Sequence, residues 1–328
     1  MRDSRARLRY LDEVITVLYP SPPPAAAPYP RAAYALVPSR FVPRRLVPRS
    51  RWLPGRRRLP RWTGTIEAYL GEVFGQRVTA TIRVRPARRA NRKPVLELRG
   101  ASGGLLAFVK IGDTDRSRAL VRHESATLEL LAGTPMKVVS APTVLHHGQW
   151  NGLDVLALSP LPTRRGRVSH VLLGSAVREI AALATAAPGG GSAAAWPGDH
   201  PGLGGAGGRH YAWHGDFSPW NMAPAPDGRL SVWDWERFAT GVPLGFDALH
   251  HFFQRALRRM PPRLAAEACL AQAVRTLAPF GPSAGEARET AVHYLITLAD
   301  RYERDGHQPL GPPSEWLNPL VDHQEVLP

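Results

Sequence analysis

The hydrophobic pattern changes period several times along the chain, and those changes outline its elements. In "WTGTIEAYLGEVFG" (62–75) apolar residues fall at helical spacing, with Thr63 or Thr65 placed to cap the helix. "RVTATIRV" (77–84), "PVLELRG" (94–100) and "LLAFVKI" (105–111) are rich in β-branched and aliphatic residues and separated by turn-forming stretches, which predicts three consecutive antiparallel strands. After "DTD" (113–115) the helical period returns in "RSRALVRHESATLELLAG", with Leu120, Leu128 and Leu131 among its apolar positions and Gly133 as its stop. "TVLHHGQWNGLDVLALSPL" reads as two more strands joined at Asn151-Gly152, the strongest short-range hairpin signal.

Five strands, with one helix set between the third and the fourth, therefore precede residue 163, and mostly helical patterns follow it, beginning with "VSHVLLGSAVREIAALATAA" (168–187). The expected fold class is α+β and bilobal: a five-stranded antiparallel lobe with one helix over 63–162, then a mainly helical lobe over 163–328. "PGGGSAAAWPGDHPGLGGAGG" (188–208) is a low-complexity connector. It contains Gly202, Gly204 and Gly207 in a GxGxxG spacing, but no strand leads into it and no helix leaves it, so it is not a dinucleotide fingerprint.

The net charge of +15 suggests nucleic acid until its distribution is considered. Residues 1–62 hold 14 basic residues against 3 acidic ones, and 11 of the 33 prolines. Proline fixes φ and removes a donor, so this segment is expected to be an extended basic arm rather than a packed domain. Such an arm either meets a nucleic acid, a membrane surface or an acidic partner, or lies solvated along its own protein. The single cysteine, Cys269, excludes a disulfide framework and a cysteine-based zinc site. No apolar run reaches membrane-spanning length, and the first twenty residues do not read as a signal peptide, so a cytoplasmic protein is expected.

"RHYAW" (209–213) is a short strand, and "HGDFSPWN" (214–221) is the loop at its end. Some ten residues later "RLSVWDWERF" supplies another strand ending in Asp234. The carboxylate of Asp216 can accept or orient a hydroxyl proton, while the Asn221 amide oxygen and the Asp234 carboxylate are hard ligands suited to Mg2+ bridging phosphate oxygens. Phosphate chemistry also needs a lysine on the third strand of the first lobe, and Lys110 stands there, on the face of Leu106 and Phe108, which would line a nucleotide base. Glu124, on the next helix, is placed to anchor it.

In "FVKIG", "RHESATLELL", "HGDFSPWNM", "VWDWERF" and "GVPLGFDALHHF" the chain resembles the aminoglycoside phosphotransferase and choline-kinase-like phosphotransferases, over about residues 75–305. That family has a bilobal protein-kinase-like fold. The resemblance implies that Asp216 is the catalytic base or hydroxyl orienter and that His214 braces the loop, with Asp247 bonding the loop backbone. It further implies that Asn221 and Asp234 ligate magnesium, that Lys110 holds the α- and β-phosphates, and that Glu124 pairs with Lys110. "DVLALSPL" resembles the interlobe hinge, whose backbone at Leu158 and Ser159 would receive the base. The expected activity is Mg2+-dependent transfer of the γ-phosphate of ATP or GTP to a hydroxyl of a small acceptor such as a sugar, aminocyclitol or amino alcohol. The alternative is a catalytically silent kinase-fold scaffold that binds through its basic arm.

Two features depart from the family pattern. The turn expected over the phosphates is "RPARRANRK" (85–93), without glycine; Arg88, Arg89, Arg92 and Lys93 either neutralise triphosphate or form a solvated hairpin tip. Only about fifty residues separate the hinge from His214, so acceptor specificity does not carry over. His146-His147 and His250-His251 are adjacent rather than at i, i+4, which argues for local packing instead of a helical metal site. Trp220, Trp233 and Trp235 are expected to wall the polar loop, and Arg164, Arg165 and Arg167 to be solvated charge.

Overall fold

The computed structural model describes residues 2–20, 45–46, 62–83, 93–185, 210–306 and 310–321. They form two compact units, Met1–Arg122 with Val144–Pro160, and His123–Thr143 with Leu161–Pro328.

The first unit is a wholly antiparallel sheet in the order β1 (Arg45–Leu46), β2 (Thr79–Arg83), β3 (Val95–Arg99), β4 (Leu105–Gly112), β7 (Leu153–Leu158), β6 (Val144–Trp150). The five strands expected from the sequence are present. Asn151 and Gly152, between β6 and β7, have φ of 48° and 74°, the positive values that a two-residue hairpin turn requires and that Asn and Gly tolerate. Along β4 the alternate residues Ala107, Val109 and Ile111 enter the core with Leu96, Leu98, Val155 and Ala157. Phe108 and Lys110 take the other face, as strand periodicity dictates, whereas Leu106, expected to share it, sits at the register shift between β3 and β4 and packs against this core instead. Helix α2 (Ile66–Val73) adds Ile66 and Leu70 to this core. Its cap is Thr65, whose hydroxyl accepts from the Ala68 amide at 3.3 Å.

Two pieces of the segment expected to be an extended arm belong to this unit. Residues Arg2–Leu18 are a helix, α1, and Tyr10, Leu11, Val14, Ile15, Leu18 and Tyr19 are buried in the same core. Those positions form an i, i+3, i+4 stripe that the segment's average composition conceals, and the first proline is Pro20, just past the helix end. Burying such side chains contributes about 2 kcal/mol each. β1 then pairs with β2, Arg45 opposite Arg83 and Leu46 opposite Ile82. The proline-rich stretches 21–44 and 47–61, the tip carrying Arg88, Arg89 and Arg92, and the 188–208 connector lie outside the described residues.

Helix α3 (Asp115–Ala132) ends before Gly133, as expected, and its residues from His123 onward belong to the second unit. There β5 (Val139–Ser140) runs parallel to β10 (Leu230–Val232), and β9 (Met222–Pro224) pairs antiparallel to β10. β8 (Tyr211–Trp213) pairs antiparallel with β11 (Ala239–Val242). The helices are α4 (His170–Ala182), α5 (Phe246–Leu257), α6 (Pro262–Ala271), α7 (Ala273–Leu277), α8 (Ala284–Arg304), α9 (Pro313–Trp316) and α10 (Asn318–Val321). Trp213, Phe246, Phe253, Tyr294 and Trp316 anchor the core of this unit. Among the described residues no helix is long and apolar enough to cross a membrane.

Candidate active site

The loop 214–221 leaves β8 and enters β9, and most of its polar groups point inward. The Asp247 carboxylate at the start of α5 accepts from the His214 amide at 2.7 Å and the Gly215 amide at 3.3 Å. Burial pushes the Asp247 carboxyl up to about 7 despite those two donors. Gly215 has φ 78°, and a Cβ there would lie 2.0 Å from the Arg237 carbonyl oxygen, so only glycine fits. Arg301 of α8 clamps the turn from the other side, donating to the Gly215 carbonyl at 2.5 Å with its guanidinium 5.4 Å from the Trp213 ring.

His214 is fully buried, and its Nδ1 accepts from the Asp216 amide at 3.2 Å. Burial lowers its pKa to about 4, more than the nearby Asp216 and Asp234 raise it, so the ring is neutral. Trp235 packs against it at 4.6 Å between ring centroids.

Asp216 keeps a quarter of its side chain exposed. Its Oδ1 accepts from Ser218 Oγ at 2.5 Å and lies 3.1 Å from His250 Nε2, while Oδ2 accepts from Asn221 Nδ2 at 2.9 Å. Burial alone would raise this carboxyl; the hydrogen bonds from His250 and Ser218 outweigh it and hold the group well below the usual carboxylate range. Ser218 and His250 were not singled out for the site by sequence reasoning. The adjacency of His250 and His251 argued for packing, yet His250 sits three residues after Asp247, on the same side of α5, and reaches the carboxylate.

Asn221 Nδ2 also donates to the Asp216 backbone carbonyl at 3.0 Å. Both of its partners are acceptors, so the amide nitrogen must face them and Oδ1 is turned away with lone pairs to offer. The Trp233 amide donates to the Asn221 carbonyl at 3.0 Å, extending the ladder one step beyond the Met222–Val232 pair. Asn221 and Asp234 thus stand at the same end of the β9–β10 hairpin. Asp234 is held at φ 74°, a left-handed conformation unusual for a side chain-bearing residue and frequent at functional sites. Its carboxylate, that of Glu236 and the fully buried one of Glu124 offer oxygens all within 4.8 Å of one another. Glu124 Oε1 accepts from the Trp235 amide at 3.1 Å. Such a concentration of negative hard oxygens fits a divalent cation of the Mg2+ type.

In the first unit Lys110 lies near the end of β4, buried, in register with Val95 and Leu156. Leu158 is the last residue of β7, buried, and Ser159 follows it. Trp235 is fully buried against His214 as expected of a wall residue, whereas Trp220 and Trp233 are half-buried. Arg164, expected to be solvated, donates to the Ala225 carbonyl at 3.3 Å.

No protein-family model matches this chain, and no curated protein matches it. Solved structures do. A putative fructosamine-3-kinase from Haemophilus somnus 129PT aligns at 14% identity over 79% of this chain and 96% of its own, with a TM-score of 0.49. A GDP complex of an aminoglycoside 2′-phosphotransferase aligns at 12% identity over 71% of this chain and 87% of its own, with a TM-score of 0.45. The choline kinase LicA from Streptococcus pneumoniae aligns at 12% identity over 62% and 89%, with a TM-score of 0.33.

Proposed function

We propose that the chain is a magnesium-dependent phosphotransferase that moves the γ-phosphoryl group of ATP or GTP to a hydroxyl of a small molecule. The observation that carries this reading is the loop at Asp216: a carboxylate kept ionised by three donors, still one-quarter exposed, beside an asparagine that meets it through Nδ2 and not through its amide oxygen. In the reaction the acceptor oxygen bonds to the γ-phosphorus as the bond from that phosphorus to the β–γ bridging oxygen breaks, and the hydroxyl proton passes to Asp216. Asn221 and Asp234 would hold the cation, which when bound neutralises charge on the phosphate oxygens. Lys110 would hold the α- and β-phosphates, and the backbone at Leu158 and Ser159 would receive the base. Arg88 and Arg89 would add charge to the phosphate side.

The test is consumption of ATP and of GTP by the purified chain, with and without Mg2+, against a panel of sugars, aminocyclitols and amino alcohols. Nucleotide turnover stimulated by one class of acceptor is expected. Absence of magnesium-nucleotide binding would sink the proposal and favour a silent scaffold.

A further inference from the structure

We infer that His250 and Tyr294 position Asp216 and select its Oδ2 as the oxygen that meets the acceptor hydroxyl, an inference that rests on the phosphotransferase reading of Asp216. Both side chains are fully buried, His250 on α5 and Tyr294 on α8. The Tyr294 hydroxyl lies 3.1 Å from His250 Nδ1, and His250 Nε2 lies 3.1 Å from Asp216 Oδ1. The proton positions follow from what each group can do. A carboxylate only accepts, so Nε2 must carry hydrogen and donate to Oδ1. Burial disfavours the charged imidazole, which leaves Nδ1 as an acceptor and makes the Tyr294 hydroxyl its donor. The phenol is held protonated by its own burial.

The chain Tyr294 to His250 to Asp216 therefore runs in one direction. Trp213 at 6.3 Å and Tyr294 at 6.0 Å meet the imidazole edge-on, so the ring has little freedom to turn. Among the described residues Oδ1 takes two donors, Ser218 and His250, whereas Oδ2 takes one, Asn221 Nδ2. Oδ2 keeps the lone pair that a hydroxyl proton needs, and the doubly held Oδ1 prevents the carboxylate from rotating away. Asp247 and His250, one turn apart on α5, thus fix the loop backbone and the reacting carboxylate from a single helix.

Long-range proton–nitrogen NMR on the full chain reads the tautomer, with the His250 signals assigned by their loss in His250→Gln. The Nε2–H form is expected, and the Nδ1–H form overturns the inference. The same measurement in Tyr294→Phe, which deletes the hydroxyl that donates to Nδ1, should show a larger share of the Nδ1–H form. An unchanged tautomer there overturns the part of the inference that involves Tyr294. In turnover of Mg-ATP with water and with the acceptor panel, kcat should fall about tenfold or more in His250→Phe, with the Mg-ATP dissociation constant within about twofold. His250→Gln, whose amide nitrogen can reach the place of Nε2, should recover to within about threefold of wild type. Equal turnover in wild type and His250→Phe, or loss of nucleotide affinity in step with kcat, would discard the positioning role. Failure of the wild type itself to bind Mg-ATP sinks the phosphotransferase reading instead, and the His250 tautomer still decides whether His250 holds Asp216.

Discussion

At the scale of single residues, two aspartates that look alike in sequence should fail differently. On the proposed mechanism Asp216→Ala removes the group that takes the hydroxyl proton, so turnover should drop by roughly a hundredfold or more while magnesium-nucleotide affinity stays nearly constant. Asp234→Ala removes charge from the carboxylate group shared with Glu124 and Glu236 and should weaken magnesium-nucleotide binding and turnover together. Titration calorimetry with and without Mg2+, beside a turnover assay, separates the two. Gly215→Ala forces a side chain into a positive-φ position and against the Arg237 carbonyl, and denaturant unfolding should show a loss of at least about 2 kcal/mol. The pattern of Asp216, Asn221 and Asp234 was legible in the sequence because a short loop and one hairpin bring them together. His250 lies 34 residues beyond Asp216 and Tyr294 another 44 beyond that. Only the packing of α5 and α8 joins them to the loop, and no local spacing records it.

Elements were readable where a local rule dominates. The Asn151-Gly152 turn, the Thr65 cap and the Gly133 stop each express a preference of one or two residues, and each stands where the pattern put it. α1 was hidden because proline and arginine content was averaged over 1–62, although its apolar stripe obeys the same period as α2. Removing residues 1–20 should therefore expose the first unit's core at Tyr10, Leu11, Val14, Ile15 and Leu18. Loss of cooperative unfolding, followed by circular dichroism in denaturant, is expected; an unchanged transition would return α1 to the role of a dispensable arm. A second element hangs on one side chain. Glu179 of α4 accepts from the amides of Lys137, Val138 and Val139 at 2.5 to 3.0 Å, fixing the entry to β5. Glu179→Ala leaves those amides without that acceptor and should cost about 2 to 4 kcal/mol, measured by the same unfolding experiment.

Across the whole molecule the sign of the charge says less than where protons are refused. Most of the +15 belongs to residues 1–62, whereas stability against pH is set by buried groups. Burial holds His214 and His251 neutral, with pKa lowered to about 4 from an ordinary 6.5. Between pH 6.5 and 4 the unfolded chain takes up those protons and the folded chain does not, so their stabilisation is complete above pH 6.5 and lost on acidification. Each represents about 3 kcal/mol across that window. His250 and His123 are lowered in the same direction, again by burial first. Asp247 opposes them. Its carboxyl is raised to about 7, so the folded state holds a proton that the unfolded chain releases near pH 4, and this contribution falls as pH rises from about 4 to 7. Two histidines against one aspartate leave a net loss on acidification of about 1.4 kcal/mol per pH unit between 6.5 and 4, before His250 and His123 add to it. Unfolding in denaturant at half-unit steps from pH 4 to 8 should give a stability that climbs to about pH 6.5 and then flattens or dips. In Asp247→Asn the opposing aspartate is gone, so the acid limb should steepen by about one proton and the dip near pH 7 should vanish. A flat profile in the wild type would mean that the buried histidines do not resist protonation.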